Sequence, residues 1–181
     1  MQRIYRSPWT PEEYIATDAY RQIVPESICP SCRKAAHLHH HARYQRWLLT
    51  VIAKFVLIWV ARFLCPLCRT TISYLPDFAA TYRPLQLETF EAFIEGRVDR
   101  PDVRTFLERL RAYRRQAESF CTELFRTVGA GLGRPPPRTA RGLWGWLKKA
   151  GDGLRPVTHK LVTNFKISLF KRYHCHQPAG P

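Results

Sequence analysis

The sequence predicts an α+β protein, a small four-cysteine β-hairpin ribbon followed by α-helices. Three observations predict it. Cys29-Pro30-Ser31-Cys32 and Cys65-Pro66-Leu67-Cys68 are two C-x-x-C pairs, the spacing at which four thiolates close a tetrahedral site. Between the pairs, the odd positions from Trp47 to Phe63 are all apolar, a period of two that belongs to strands with one buried face. After Pro76 the apolar residues recur with the 3.6 period of helices.

The elements follow in order. Residues 1–28 form an N-terminal helical lead-in. Thr10-Pro11-Glu12-Glu13 reads as a cap, a first-turn proline and a capping-box glutamate, with the helix running to about Gln22. Trp9, Tyr14, Ile15 and Ala19 are its packing residues. Residues 29–83 form the ribbon, and its hairpin turns near Thr50–Lys54. The even positions Leu48, Ile52, Val56, Ile58, Val60 and Leu64 are also apolar, so this second face needs a cover from later helices or a second subunit.

Residues 84–128 are helical. A first helix spans Leu85 to Ile94 and stops at Gly96, and a longer one starts at Pro101 and runs to about Val128. Arg104, Arg111, Arg114 and Arg115 make a basic stripe on the longer helix, which is either a solvated face or a phosphate-facing one. Residues 129–142, rich in Gly, Pro and Arg, read as a linker. Residues 143–181 form a basic amphipathic C-terminal segment, with Val157, Leu161, Phe165 and Leu169 every four residues after Pro156. It suits a partner helix, a membrane-surface helix or a tail.

Composition bounds the function. The chain has 181 residues, 45% of them hydrophobic, so it buries a core. Its 29 Lys and Arg against 14 Asp and Glu give a net charge of +15, which favours nucleic acid, anionic lipid or an acidic protein as partner. Cysteines in metal spacing and a first segment without an apolar signal predict a cytoplasmic location. Trp47 to Leu64 is short for a membrane helix and carries Lys54 and Arg62, each worth about 2.5–3.5 kcal/mol against insertion at a bilayer centre. A membrane partner is therefore disfavoured.

Four cysteine ligands leave no open position for water, so the predicted cofactor is one structural Zn2+ on Cys29, Cys32, Cys65 and Cys68. His37, His39, His40 and His41 are read as packing, supporting or DNA-facing residues. His174-Cys175-His176 has no accompanying ligand set, and Cys121 reads as a core residue. No carboxylate cluster, nucleophile pair or phosphate-binding glycine loop is visible, so no catalytic residue is assigned and a non-enzyme is expected. Arg33, Lys34, Arg43, Arg46, Arg62 and Arg69, lying near the knuckles and hairpin among aromatics, are the candidate nucleic-acid contacts, with Arg111 and Arg115 on the long helix.

Cys29-Pro30-x-Cys32 with Leu38 to Arg46, then Arg62 to Pro76 and Tyr82-Arg83, resemble the ribbon of bacterial transposase-associated proteins. That family is described mostly as a domain of unknown function, and many members continue into a helix-turn-helix, which the resemblance implies in degenerate form for residues 84–128. The resemblance covers about residues 28–95 and implies zinc on the four cysteines and DNA recognition in a mobile-element setting. A homodimer or a transposase partner would fit it. Arg33 and Ala42 stand where the family usually has glycine, and the hairpin is more apolar than usual. Two other functions compete with DNA binding: a zinc-stapled protein-interaction module, and a membrane protein anchored through residues 47–64.

Overall fold

The computed structural model describes residues 1–50, 54–98, 104–132 and 138–172 of the chain. It is mixed α+β: a four-stranded sheet with five helices. The strands are β1 (Gln2–Tyr5), β2 (His39–Leu49), β3 (Phe55–Leu64) and β4 (Thr71–Pro76), in the order β1-β4-β3-β2. β2 and β3 form the expected long antiparallel hairpin, with Trp47 opposite Leu57 and Tyr44 opposite Val60. The Thr50 N–H (2.9 Å) and hydroxyl (3.1 Å) both donate to the Lys54 carbonyl, which places the turn where the sequence put it. β4 returns antiparallel to β3, and β1 lies parallel to β4 on its far side.

The lead-in was only partly foreseen. Helix α1 (Pro11–Ala16) has its full capping box, with Glu13 N–H donating to the Thr10 hydroxyl and Thr10 N–H donating back to the Glu13 carboxylate. It stops well before Gln22, because Asp18 turns left-handed (φ 49°) and Ala19–Gln22 form a separate 3-10 turn. Ile15 is exposed, whereas Tyr14 and Ala19 are buried.

The sheet buries its faces differently from the period-two expectation. The odd positions are not uniformly buried: Leu49, Ala61 and Phe63 are inside, but Trp47 is 56% and Phe55 44% exposed. Leu48, Ile58 and Val60, on the face expected to need a cover, are fully buried. Their cluster includes Tyr14, Ala19 and Tyr20 of the lead-in and Phe78 and Ala79 after β4, and Tyr14 donates its hydroxyl to the Trp59 carbonyl at 2.8 Å. Both faces are apolar in sequence, so alternation could not rank them. Leu48, Leu49 and Thr50 beside the tip are buried, and the rings of Trp47 and Phe55 face outward there.

The helices build a second core. α2 (Leu87–Ile94) ends in the expected glycine cap: Gly96, at φ 75°, donates to the Phe93 carbonyl, and Arg97 N–H reaches the Ala92 carbonyl. α3 (Arg104–Leu132), about 44 Å long at 1.5 Å per residue, buries Phe106, Leu110, Ala117, Cys121, Leu124 and Val128 along one side. The start at Pro101, and part of the segment joining α2 to α3, lie outside the described residues.

Two expectations about the C-terminal part are corrected. The 129–142 segment is not all linker, since α3 continues to Leu132 and Thr139 caps α4 (Ala140–Leu147). Where a partner helix, a membrane-surface helix or a tail is expected of the C-terminal segment, residues 143–172 contain helices packed against the rest of the protein. Leu143, Trp144, Trp146 and Leu147 of α4 and Leu154, Val157 and Leu161 of α5 (Leu154–Phe165) join the core. α5 ends at Phe165, which is exposed, with Lys166 left-handed. The chain then folds back so that Phe170 meets the rings of Phe90 and Tyr113 at 5.4 and 6.1 Å. Apolar spacing alone could not separate a core helix from a surface one. Cys175 and its flanking histidines lie outside the described residues. Of the stretch Trp47 to Leu64, Trp47–Leu49 and Phe55–Leu64 lie in strands and residues 51–53, with the expected apolar Ile52, lie outside the described residues; among the described residues no helix is long and apolar enough to cross a membrane.

Candidate metal centre

The two C-x-x-C segments fold as near copies. In the first, Arg33 N–H donates to the Cys29 carbonyl at 2.8 Å and Cys29 N–H to the Lys34 carbonyl at 3.0 Å. The second repeats this, with Arg69 N–H to Cys65 O at 2.9 Å and Cys65 N–H to Thr70 O at 3.1 Å. The residue after each second cysteine is left-handed, Arg33 at φ 59° and Arg69 at φ 58°. A hydroxyl bond from Ser31 to Thr70 at 3.3 Å ties the knuckles together. The hairpin makes this meeting possible, because β2 leaves the first knuckle and β3 delivers the second.

All four sulfurs lie within 4.8 Å of one another, with Cys29 Sγ to Cys68 Sγ at 3.8 Å and Cys32 Sγ to Cys65 Sγ at 4.0 Å. Sulfurs about 2.3 Å from a central ion define a tetrahedron with edges of about 3.8 Å. The cluster therefore fits one four-coordinate metal ion. Cys29 and Cys65 are buried, Cys32 and Cys68 half-buried. Burial pushes the Cys29 thiol up to about 12. Burial acts the same way on Cys68, but the Thr70 hydroxyl and N–H, with the neighbouring thiols, outweigh it and hold Cys68 down to about 6. Four thiolates in this space need a cation between them.

The histidines stand outside the ligand set. His37, His39, His40 and His41 are exposed, His37 against His39 at 5.2 Å and His40 edge-on to Phe63 at 5.6 Å. Cys121 is buried on α3, as expected.

The candidate nucleic-acid residues separate into two kinds. Arg33, Lys34 and Arg69 are exposed on the knuckles, and Arg111 and Arg115 are exposed on α3, away from the ribbon in sequence. The others already have work inside the fold. Arg46 donates to the carbonyls of Ala80 (2.5 Å) and Arg83 (2.8 Å), which fastens the hairpin to the segment before α2. Arg62 stacks on Tyr44 at 4.5 Å. Arg43 lies over Trp59 at 4.4 Å and Tyr20 at 5.4 Å and donates to the Tyr20 hydroxyl. Sequence reasoning missed Tyr20 and Arg21, which the 3-10 turn brings against β2. No signal in the chain joins them to Arg43.

The fold and site together define a mixed α+β protein whose four-cysteine ribbon, able to hold a metal ion, adjoins a helical core. Comparison of the chain with family models, curated proteins and solved structures finds no match.

Proposed function

We propose that the protein is a non-catalytic nucleic-acid-binding protein whose ribbon is stapled by one zinc ion and whose ligand is DNA. Zinc is the reading because a borderline-soft ion without redox chemistry suits four thiolates in a tetrahedron. Cys29, Cys32, Cys65 and Cys68 would hold it, and it would supply folding energy rather than a reaction.

The observation that carries the proposal is the charge of the ribbon beside the metal. Residues 29–83 contain eight Arg and Lys against one acid, Asp77, which is paired with Arg155 of α5, so almost nothing within the ribbon offsets its field. Each knuckle also holds an exposed arginine in a left-handed conformation. Glycine would occupy that conformation without the roughly 1–3 kcal/mol such a backbone costs another residue. An arginine kept there twice is explained by what its side chain contacts. A mobile-element setting rests on the resemblance alone.

Double replacement Arg33→Gly/Arg69→Gly tests the proposal, with binding to random-sequence duplex DNA read by fluorescence anisotropy. Glycine relieves the backbone, so stability holds or rises while affinity falls and the salt slope drops by about 2, one per lost phosphate contact. Unchanged affinity would overturn the assignment of these two residues.

A second reading, a protein-interaction module, is favoured by one feature. Trp47 and Phe55 meet ring to ring at 6.4 Å on the exposed hairpin tip. It predicts that Trp47→Ser/Phe55→Ser lowers concentration-dependent self-association in sedimentation while DNA binding persists.

A further inference from the structure

An open groove of about 410 Å3 lies between the 3-10 turn Ala19–Gln22 and the start of the hairpin, lined by Tyr20, Arg21, Ile23, His40, Ala42 and Phe63, together with Arg43. Its volume falls in the range of small-ligand sites, about 300–1,000 Å3. The floor is apolar, and the polar groups converge at one point. The Tyr20 hydroxyl oxygen accepts from Arg21 Nε at 2.9 Å and from Arg43 Nη1. Two guanidinium donors occupy both lone pairs of that phenol, so its own O–H is left to donate. Among the described residues no acceptor takes that proton.

Two like charges are thereby held on one oxygen. Arg21 has a partial counter-charge in Asp18, 3.5 Å from its Nε, on an exposed pair. Arg43 has no carboxylate partner among the described residues. It is held instead by the faces of Trp59 and Tyr20, which fix the plane of its guanidinium without neutralising it. The remaining guanidinium N–H groups and the phenol O–H are further donors beside this oxygen, the kind of group that receives an oxyanion. At the other end stands the exposed ring of His40, edge-on to Phe63, where the irregularity in β2 between His40 and Ala42 re-aims the strand.

We propose that this groove binds one nucleotide of a single-stranded nucleic acid, its phosphate between Arg21, Arg43 and the Tyr20 hydroxyl and its base against His40. This rests on the nucleic-acid reading given above and deepens it. A duplex keeps its bases stacked inside and presents phosphates on a convex surface, whereas a concave site with a ring beside the anion clamp suits an unpaired strand. The ribbon would then have two contacts of different kind: knuckle arginines on the backbone, and this groove on an unstacked nucleotide.

The test uses the full chain, a 12-mer of thymidylate, and a random duplex as the reference. Arg21→Ala and His40→Ala change exposed side chains, and each should weaken oligothymidylate binding by about tenfold with duplex affinity unchanged. An oligomer carrying 5-iododeoxyuridine should photocrosslink to Tyr20, His40 or Phe63. Equal loss on both DNAs, no loss on either, or crosslinks confined to other residues would overturn the groove while leaving nucleic-acid binding in place. Absence of binding to both DNAs by the unmodified protein at low salt would overturn the broader reading and the groove with it.

Discussion

Arg155 on α5 ties two parts of the fold together, and its loss should be costly. Its Nη2 lies 2.6 Å from Asp77 Oδ1, and the same guanidinium donates to the Ser7 carbonyl. Asp77 also accepts the Ser7 N–H at 3.0 Å, and its side chain is only 7% exposed against 26% for Arg155. Ser7 precedes α1 and Asp77 follows β4, so this pair joins the ribbon to the helical core. Arg155→Met strips the carboxylate of its cation and leaves it one hydrogen bond. Breaking a buried pair from one side costs about 3–5 kcal/mol, and water reaching the partly exposed Arg155 side points to the lower end, about 3 kcal/mol. At a urea dependence of about 2 kcal/mol per molar, the unfolding midpoint should fall by about 1.5 M. Adding Asp77→Asn should recover most of that loss, because no charge is then stranded. A midpoint within 0.3 M of wild type (about 0.6 kcal/mol) for Arg155→Met, or additive losses in the double variant, would refute the argument.

Other consequences are as direct. Glu95 accepts from Lys148, Trp144 and Arg97, and these bonds hold its carboxyl down to about 2. A depressed folded pKa contributes stability that is full above the ordinary value and lost as pH falls toward 2. Melting curves of wild type and Glu95→Gln should therefore differ at pH 7 and converge between about pH 4.5 and 2; a constant gap would contradict this. Arg46→Leu leaves the Ala80 and Arg83 carbonyls without their charged donor and should cost about 2–3 kcal/mol in urea unfolding, with DNA affinity of the folded fraction unchanged. Cys65→Ser should release the metal and unfold the ribbon, seen as metal loss by mass spectrometry and lost amide protection across β2 to β4. Full retention of metal would mean that Cys65 is not a ligand.

The parts legible in the sequence are those fixed by local chemistry. The Thr10 capping box, the Gly96 cap and the paired knuckles each depend on a few neighbouring residues, and each stands where it was read, whereas no turn residue marks the hairpin's reversal. What escaped depends on distant residues. β1 is four residues long and exists because β4 offers it an edge, which no local pattern announces. The burial of Ile58 and Val60 rather than Trp47 and Phe55 follows from where the lead-in lands on the sheet. α4 and α5 are short, basic and amphipathic, a description shared by surface helices; only the apolar side of α3 decides that they belong to the core. Among the candidate arginines, spacing could not distinguish Arg46, bonded to carbonyls, from Arg33, free of the fold's interior.

The central claim is that a metal-stapled, strongly basic ribbon binds DNA through its exposed surface. The most direct measurement is affinity for random duplex DNA across a salt series, with metal content determined on the same sample. One zinc per chain, and log affinity falling against log salt with a slope near −4 to −5 for about five neutralised phosphates, is the predicted result. One zinc per chain with no DNA affinity at low salt would contradict it.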